Sequence, residues 1–256
     1  MITIKSPREV EAMAEAGRIV GETLALMART VKPGLSTEQL DEVAEEFIRS
    51  HPGARPSFLG LYDFPKSLCI SINDEIVHGI PSPSRILEDG DIVSVDCGVC
   101  IEGLHGDAAL TVPVGEISPR ARRLLEVTQD ALAAGIEQAR VGNHTGDIGH
   151  AVQAVAEGAG YSVVRELVGH GIGTSFHEEP QIPNYGKPRR GPRLVRGMTI
   201  AIEPMINMGG ADIRTLGDKW TVVTADGSLS AHFEHTVVIE DEGPRILTPQ
   251  PAQVPA

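Results

Sequence analysis

The chain repeats its own plan after about a hundred residues, and this constrains its fold more than any single motif. Residues 8–30 carry apolar side chains at helical spacing (Met13, Ala16, Ile19, Val20, Leu24, Met27), with Ser6-Pro7 supplying a cap and a first turn. The turn "VKPGLST" follows, and Thr37 is expected to cap a second helix, "EQLDEVAEEFIRS". Residues 120–160 read the same way: a helix "RARRLLEVTQDALAAGIEQAR", a turn "VGNHT" and a helix "GDIGHAVQAVAEGAG". Gly34 and Gly142, Thr37 and Thr145, and Leu40 and Ile148 correspond at a constant offset of 108 (142 − 34).

The correspondence continues into strand-like segments. "LEDGDIVSVDCG" lies over "LVRGMTIAIEPM" at an offset of 107 (194 − 87), which superimposes Asp96 on Glu203. "VHGIP" resembles "GHGIG" and superimposes His78 on His170 at an offset of 92 (170 − 78). The second half therefore holds about fifteen extra residues between its histidine and its glutamate, among them the basic stretch "GKPRRGPRLVRG". A period this long marks a duplicated α+β unit rather than a solenoid. Two such units related by a pseudo-twofold axis would bring a carboxylate and a histidine from each half to a shared centre.

A chain of 256 residues has enough material to close both repeats around one core. We expect a single catalytic domain over 1–248, with repeats at about 8–115 and 120–240, and a Pro-rich disordered tail at 249–256. With 41% hydrophobic and 22% charged residues the composition is that of a globular protein. No apolar run approaches the ~20 residues of a membrane span, and the charged start "MITIKSPREVEAMAEAG" lacks a signal core, so a cytoplasmic protein is expected. Three cysteines are too few to staple such a chain. A net charge of −13 disfavours DNA binding over the whole surface. Lys187, Arg189, Arg190, Arg193 and Arg196 make a local exception, a candidate docking patch for a polyanion.

"DIVSVDCGV" and "HGDAALTV" flank "CIEGL", so a two-residue Glu102-Gly103 loop predicts an antiparallel hairpin pairing Ile101 with Leu104. In that register Asp96 faces Ala109 and becomes a diagonal neighbour of Asp107 on the same sheet face, ~7–8 Å away at the backbone. Cys97 and Cys100, three apart on a strand, then point to opposite faces and make no metal or disulfide pair. Two unpaired carboxylates on one face repel, and a divalent cation resolves the conflict. Further polar residues stand inside strand-like runs: Glu203 at the end of "MTIAIEP", Glu234 in "LSAHFEHTVVIE" on a face with His232 and Thr236, and His170 between glycines in "VGHGIG". Four carboxylates and one imidazole suit Mn²⁺, Fe²⁺, Co²⁺ or cocatalytic Zn²⁺. Four negative charges suit two such ions better than one.

These residues, with "YDFPKSLCISINDEIVHGIP", "GHGIGTSFHEEPQIPNY" and "SAHFEHTVVI", resemble those of type I methionine aminopeptidases over nearly the whole chain, from about residue 6 to about residue 248. The order of the five ligands alone would indicate only the wider "pita-bread" metallohydrolase fold. The resemblance implies that fold: α+β, two pseudo-twofold-related halves with a central antiparallel sheet flanked by helices. It implies that Asp96 binds one of two divalent cations, that Asp107 and Glu234 bridge them, and that His170 and Glu203 complete the second site. It implies that His177 hydrogen-bonds the scissile carbonyl, that His78 contacts the substrate backbone or relays a proton, and that Glu203 moves a proton to the leaving amine. The matching methionine pocket is Phe58, Leu61, Phe64, Cys69, Phe176 and Trp220. Relatives often have tyrosines where this chain has Leu61 and Phe64. The implied substrate is the amino terminus of a nascent polypeptide with a small second residue, handled by a monomeric, bacterial-type enzyme; the charge of the 187–196 loop makes it, separately, a candidate ribosome contact.

Three other readings compete. A proline-specific peptidase of the same fold generally carries a large N-terminal domain, whereas the first repeat here begins almost at residue 8. An inactive, ribosome-associated binding module would have lost ligands, and all five positions are filled. A calcium-stabilised structural protein is disfavoured by the imidazole and by the absence of a ligand-dense loop.

Overall fold

The computed structural model describes residues 2–250; most of the expected C-terminal tail, 251–256, lies outside them. Helix α1, Pro7–Thr30, starts at a capping box in which the Ser6 hydroxyl and the Glu9 carboxylate satisfy each other's backbone N–H groups, with Pro7 in the first turn. Helix α2, Thr37–Arg49, is capped by Ser36 rather than Thr37: Ser36 accepts from Gln39 N–H, and the Gln39 side chain returns to Ser36 N–H. Thr37 is already helical and its hydroxyl binds the backbone of Ser82. In the second half α3 spans Pro119–Glu137 and α4 spans Thr145–Gly158. The helix pairs predicted from the repeat are thus present in both halves.

All strand pairs are antiparallel. The first-half sheet is built on the hairpin Ile92–Ile101 with Leu104–Pro113, with Leu68–Ile72 on the other side of the first strand. Its register is the expected one, pairing Ile101 with Leu104 and Asp96 with Ala109. Glu102 (φ 52°) and Gly103 (φ 80°) both take the left-handed conformation that a two-residue hairpin loop demands. The second-half sheet runs Gly243–Ile246, His235–Glu240, Thr199–Ile202, Gly169–Gly171, Glu178–Ile182.

Two threonines stitch the halves together. The Thr236 hydroxyl donates to Asp107 O (2.7 Å) and accepts from Asp107 N–H (3.0 Å). The Thr111 hydroxyl does the same to His232, donating to its O and accepting from its N–H, both at 2.9 Å. These two clasps are related by an offset of 125 (236 − 111 and 232 − 107), so the pseudo-twofold axis passes between them. Asp107 therefore has His232 as its symmetry mate, and Ala109 has Glu234. A separate bond, Glu234 N–H to Ala109 O at 3.0 Å, adds to the seam.

One continuous apolar core fills both halves, from Ile19 and Leu24 through Val95 and Leu110 to Ile200 and Val237. Helix α1 crosses the hairpin at Gly17 and Gly106, where a Cβ on Gly106 would lie 2.9 Å from Gly17 N. The backbone of Leu247 closes on the same glycine, and that of Pro249 on Gly21 one turn later. A smaller apolar cluster around Phe58, Phe64, Cys69 and Phe176, with Leu61 and Trp220 at its margin, stands apart from the main core.

Candidate metal centre

The hairpin delivers Asp96 and Asp107 to one side of the seam. From the other half, Glu203 follows the strand Thr199–Ile202, His170 sits in the middle of Gly169–Gly171, and Glu234 lies in the break between Ser230–His232 and His235–Glu240. All five line one cleft of about 600 Å³ counted out to bulk solvent. Ligand atoms of Asp107, His170 and Glu234 lie within 4.8 Å of one another. His170 Nε2 is 3.8 Å from Asp107 Oδ2 and 3.6 Å from Glu203 Oε1. The other ring nitrogen, Nδ1, is 2.9 Å from the carbonyl of Gly171. A carbonyl can only accept, so Nδ1 carries the proton and Nε2 presents its lone pair to the carboxylates.

The electrostatics are those of a site built for a cation. Burial pushes the Asp96 carboxyl up to about 7. Burial, then the charges of Glu234 and Asp96, hold Asp107 well above the carboxylate range. Burial raises Glu203 and Glu234 as well, reinforced for Glu203 by Asp107 and Asp96 and for Glu234 by Glu203 and Asp96. Burial drops His170 to about 3, so it is a neutral donor at physiological pH. Asp96 Oδ1, Asp107 Oδ1 and Glu234 Oε1 are buried without a hydrogen-bond partner in the protein. Orphaned buried oxygens are costly. An oxygen-rich donor set with one imidazole nitrogen, left unpartnered by protein groups, fits a divalent transition-metal ion.

The predicted pocket residues line the same cleft. Phe58 packs edge-on against Phe176 and Phe64, at centroid distances of 5.2 and 6.5 Å. Phe64 in turn meets Trp220 at 5.1 Å. Cys69 pairs with Asp96 across adjacent strands. Burial, followed by the charges of Asp96 and Asp107, keeps its thiol protonated. His78, held at φ 61°, meets the Trp220 edge at 6.3 Å. Burial lowers its imidazole to about 4, with His177 adding to the effect. The His177 ring lies 4.4 Å from that of His170. Cys97 and Cys100 are buried thiols away from the cleft lining, and Cys100 Sγ accepts from Arg55 at 3.4 Å.

Two residues of this neighbourhood have no role assigned from the sequence. Tyr62 lines the mouth of the cleft and stacks on His177 (5.7 Å, 16°), with its hydroxyl 3.4 Å from Nδ1. It stands in an irregular loop where periodicity is silent; its place at the head of "YDFPKSLC", beside Leu61 and Phe64, is the cue the sequence offers. His232 is buried, with Nε2 3.8 Å from Glu203 Oε2 and 3.9 Å from Glu234 Oε2. Its place opposite Asp107 follows the offset of 125, which the helix and first-strand offsets do not reveal.

Known proteins resemble this chain over most of its length. The profile of metallopeptidase family M24 matches residues 11–241. A methionine aminopeptidase of Clostridium perfringens is 55% identical over 248 residues, covering 97% of this chain and 99% of that protein. Methionine aminopeptidase 1 of Bacillus subtilis is 52% identical with the same coverage. The crystal structure of the Thermotoga maritima methionine aminopeptidase superimposes with a TM-score of 0.96 at 42% identity, covering 98% of this chain and all of that one. A prolidase from Pyrococcus furiosus shares the fold, with a TM-score of 0.79 at 22% identity, but this chain spans only 66% of it. By this similarity along its length, and in keeping with its duplicated architecture, the chain belongs to metallopeptidase family M24.

Proposed function

We propose that this protein removes the N-terminal methionine from polypeptides, using divalent cations held by Asp96, Asp107, His170, Glu203 and Glu234. The observation that carries the reading is the junction of two unlike walls. Four carboxylates and an imidazole meet an apolar aromatic pocket in one cleft, so a substrate anchored by its first side chain presents its first peptide bond to the ligand cluster. Two cations, of Co, Mn, Fe or Zn, match four negative charges and would supply Lewis acidity and a water acidified to near neutrality. Phe58, Phe64, Phe176 and Trp220 offer ring edges and Cys69 a soft sulfur, a lining suited to an unbranched thioether. His177 donates a hydrogen bond to the scissile carbonyl oxygen as negative charge develops on it. Glu203 takes up the proton released by the attacking water and passes it to the leaving amine. His78 contacts the backbone of the second residue.

The substrate is the emerging amino terminus of a nascent chain, met in the cytoplasm. The exposed Lys187, Arg189, Arg190 and Arg193, beside the start of α4, are the surface that contacts the polyanionic ribosome. No helix among the described residues is long and apolar enough to cross a membrane.

The test is hydrolysis of Met-Ala-Ser, Met-Ile-Ser and Ala-Pro-Ser by protein reconstituted in turn with each cation. Met-Ala-Ser is cleaved, and the others are cleaved at least ~100-fold more slowly, a difference of about 2.7 kcal/mol in transition-state stabilisation. Cleavage of the proline peptide alone would assign the chain to its proline-specific relatives. No cleavage with any cation would make it a binding module.

A further inference from the structure

Glu178 follows His177 directly in sequence, and its carboxylate is the hub of the loop 173–178. Oε1 accepts from Ser175 N–H at 3.2 Å and from the Thr174 hydroxyl at 3.5 Å. Oε2 accepts from Lys5 Nζ at 2.6 Å and from the Thr3 hydroxyl. Lys5 and Glu178 have side chains only 4% and 10% exposed, so this is an interior ion pair and not a surface one. The lysine stem lies across Gly173, where any Cβ would come within 2.1 Å of Cε. The main chain of Lys5 is pinned as well, its N–H donating to Gly197 O at 2.8 Å. The next residue, Ser6, is the cap of α1. The ammonium is therefore fixed from behind by the fold and grips the loop from outside the cleft.

On the inner side of this loop are Phe176, whose ring is 5.6 Å from that of His170, and His177, at 4.4 Å. We propose that Lys5 is a positioning residue for the reaction: its buried pair with Glu178 holds 173–178 in the conformation that aims Phe176 and His177 at the substrate. The inference rests on the substrate-binding roles assigned above to those two residues. Removing the ammonium leaves a buried carboxylate without its counter-charge, and the loop must open to hydrate it. A displacement of about 1 Å at His177 is enough to lower turnover by up to ~100-fold.

The experiment compares Lys5→Met, Lys5→Arg and Thr3→Ala with the unaltered protein, all saturated with the same cation. Steady-state hydrolysis of Met-Ala-Ser is measured beside amide hydrogen exchange across the chain. In Lys5→Met, kcat falls ~10–100-fold, a larger change than that in KM, because the transition state depends on His177 more than ground-state binding does. Exchange accelerates within 173–178, and protection of the 92–113 hairpin stays unchanged. Lys5→Arg, which keeps the charge, recovers kcat to within ~3-fold of normal. Should Lys5→Met fail to fold, Thr3→Ala shows the same local loosening on a smaller scale.

Unaltered kcat with unaltered loop exchange in Lys5→Met would overturn the proposal. So would uniform loss of protection with no recovery by arginine, since that describes a lysine needed only for folding. If the unaltered protein cleaves no methionyl peptide, the functional reading fails instead, and the exchange data alone decide whether Lys5 orders the loop.

Discussion

Asp107 gives its side chain to the candidate cation site and its backbone to the seam between the halves, through Thr236. Asparagine at this position keeps the seam and removes one buried negative charge. Asp107→Asn is therefore expected to raise the melting temperature of the metal-free protein, because less like-charge repulsion remains. It should also weaken binding of Mn²⁺ or Co²⁺ by more than the ~10–100-fold that loss of even an outer-shell partner causes. Calorimetry on one sample reads both, and an unchanged affinity would remove Asp107 from the ligand set. The raised carboxyls give the pH dependence its sign. With Asp96 titrating at about 7 and Asp107, Glu203 and Glu234 held higher than free carboxylates, the cation displaces protons. Affinity rises with pH through about 7, by roughly tenfold per unit for each proton displaced. His170, already neutral above about 3, takes no part in that slope. Titrations in buffers of different ionisation enthalpy should show the released protons, and none released would contradict the raised values.

The 92–113 hairpin is the element that aims two ligands and borders the pocket as well. Gly98 pairs with Asp107, and a Cβ on it would lie 2.8 Å from the Phe176 ring, 2.9 Å from Ser57 and 3.0 Å from the Phe58 ring. Gly98→Ala should push both rings into the cleft at a cost of about 1–3 kcal/mol. The expected result is a KM for methionyl peptides raised several-fold with cation affinity preserved; unchanged KM would show that the rings yield outward. This hairpin was readable because period-two alternation, a Glu-Gly turn and misplaced aspartates all sit within twenty residues. Cap placement was less so: Ser36 and Thr37 are both good caps, and only the reciprocal bonds with Gln39 choose Ser36. The role of Tyr62 was not legible because its loop, with Tyr62 and Asp63 at φ 50° and 68°, follows no period.

At the scale of the whole molecule, duplication was legible where chain length between equivalent positions is kept, and faded where it is not. The offset is 107 at Asp96 and Glu203 but 125 at the seam, so the correspondence of Asp107 with His232 emerged only in three dimensions. Pseudo-symmetry supplies its own control. Thr111→Val and Thr236→Val each strip a buried backbone pair of its hydroxyl and should cost about 1–3 kcal/mol apiece in urea unfolding. Thr236→Val should also loosen the cation more than Thr111→Val does, because its clasp holds a candidate ligand directly, whereas that of Thr111 holds His232. Equal effects on cation affinity would refute the assigned asymmetry. On the outer surface, reversing the charges of Lys187, Arg189, Arg190, Arg193 and Arg196 should weaken salt-sensitive co-sedimentation with ribosomes while leaving tripeptide turnover intact; unchanged co-sedimentation would discard the docking role. The clasps also give the centre a date of birth. Its ligands leave the ribosome in the order 96, 107, 170, 203, 234, and the Asp107 clasp waits for residue 236. The candidate set is therefore complete only 127 codons after Asp107 (234 − 107), and no copy of this protein can work as a peptidase during most of its own synthesis.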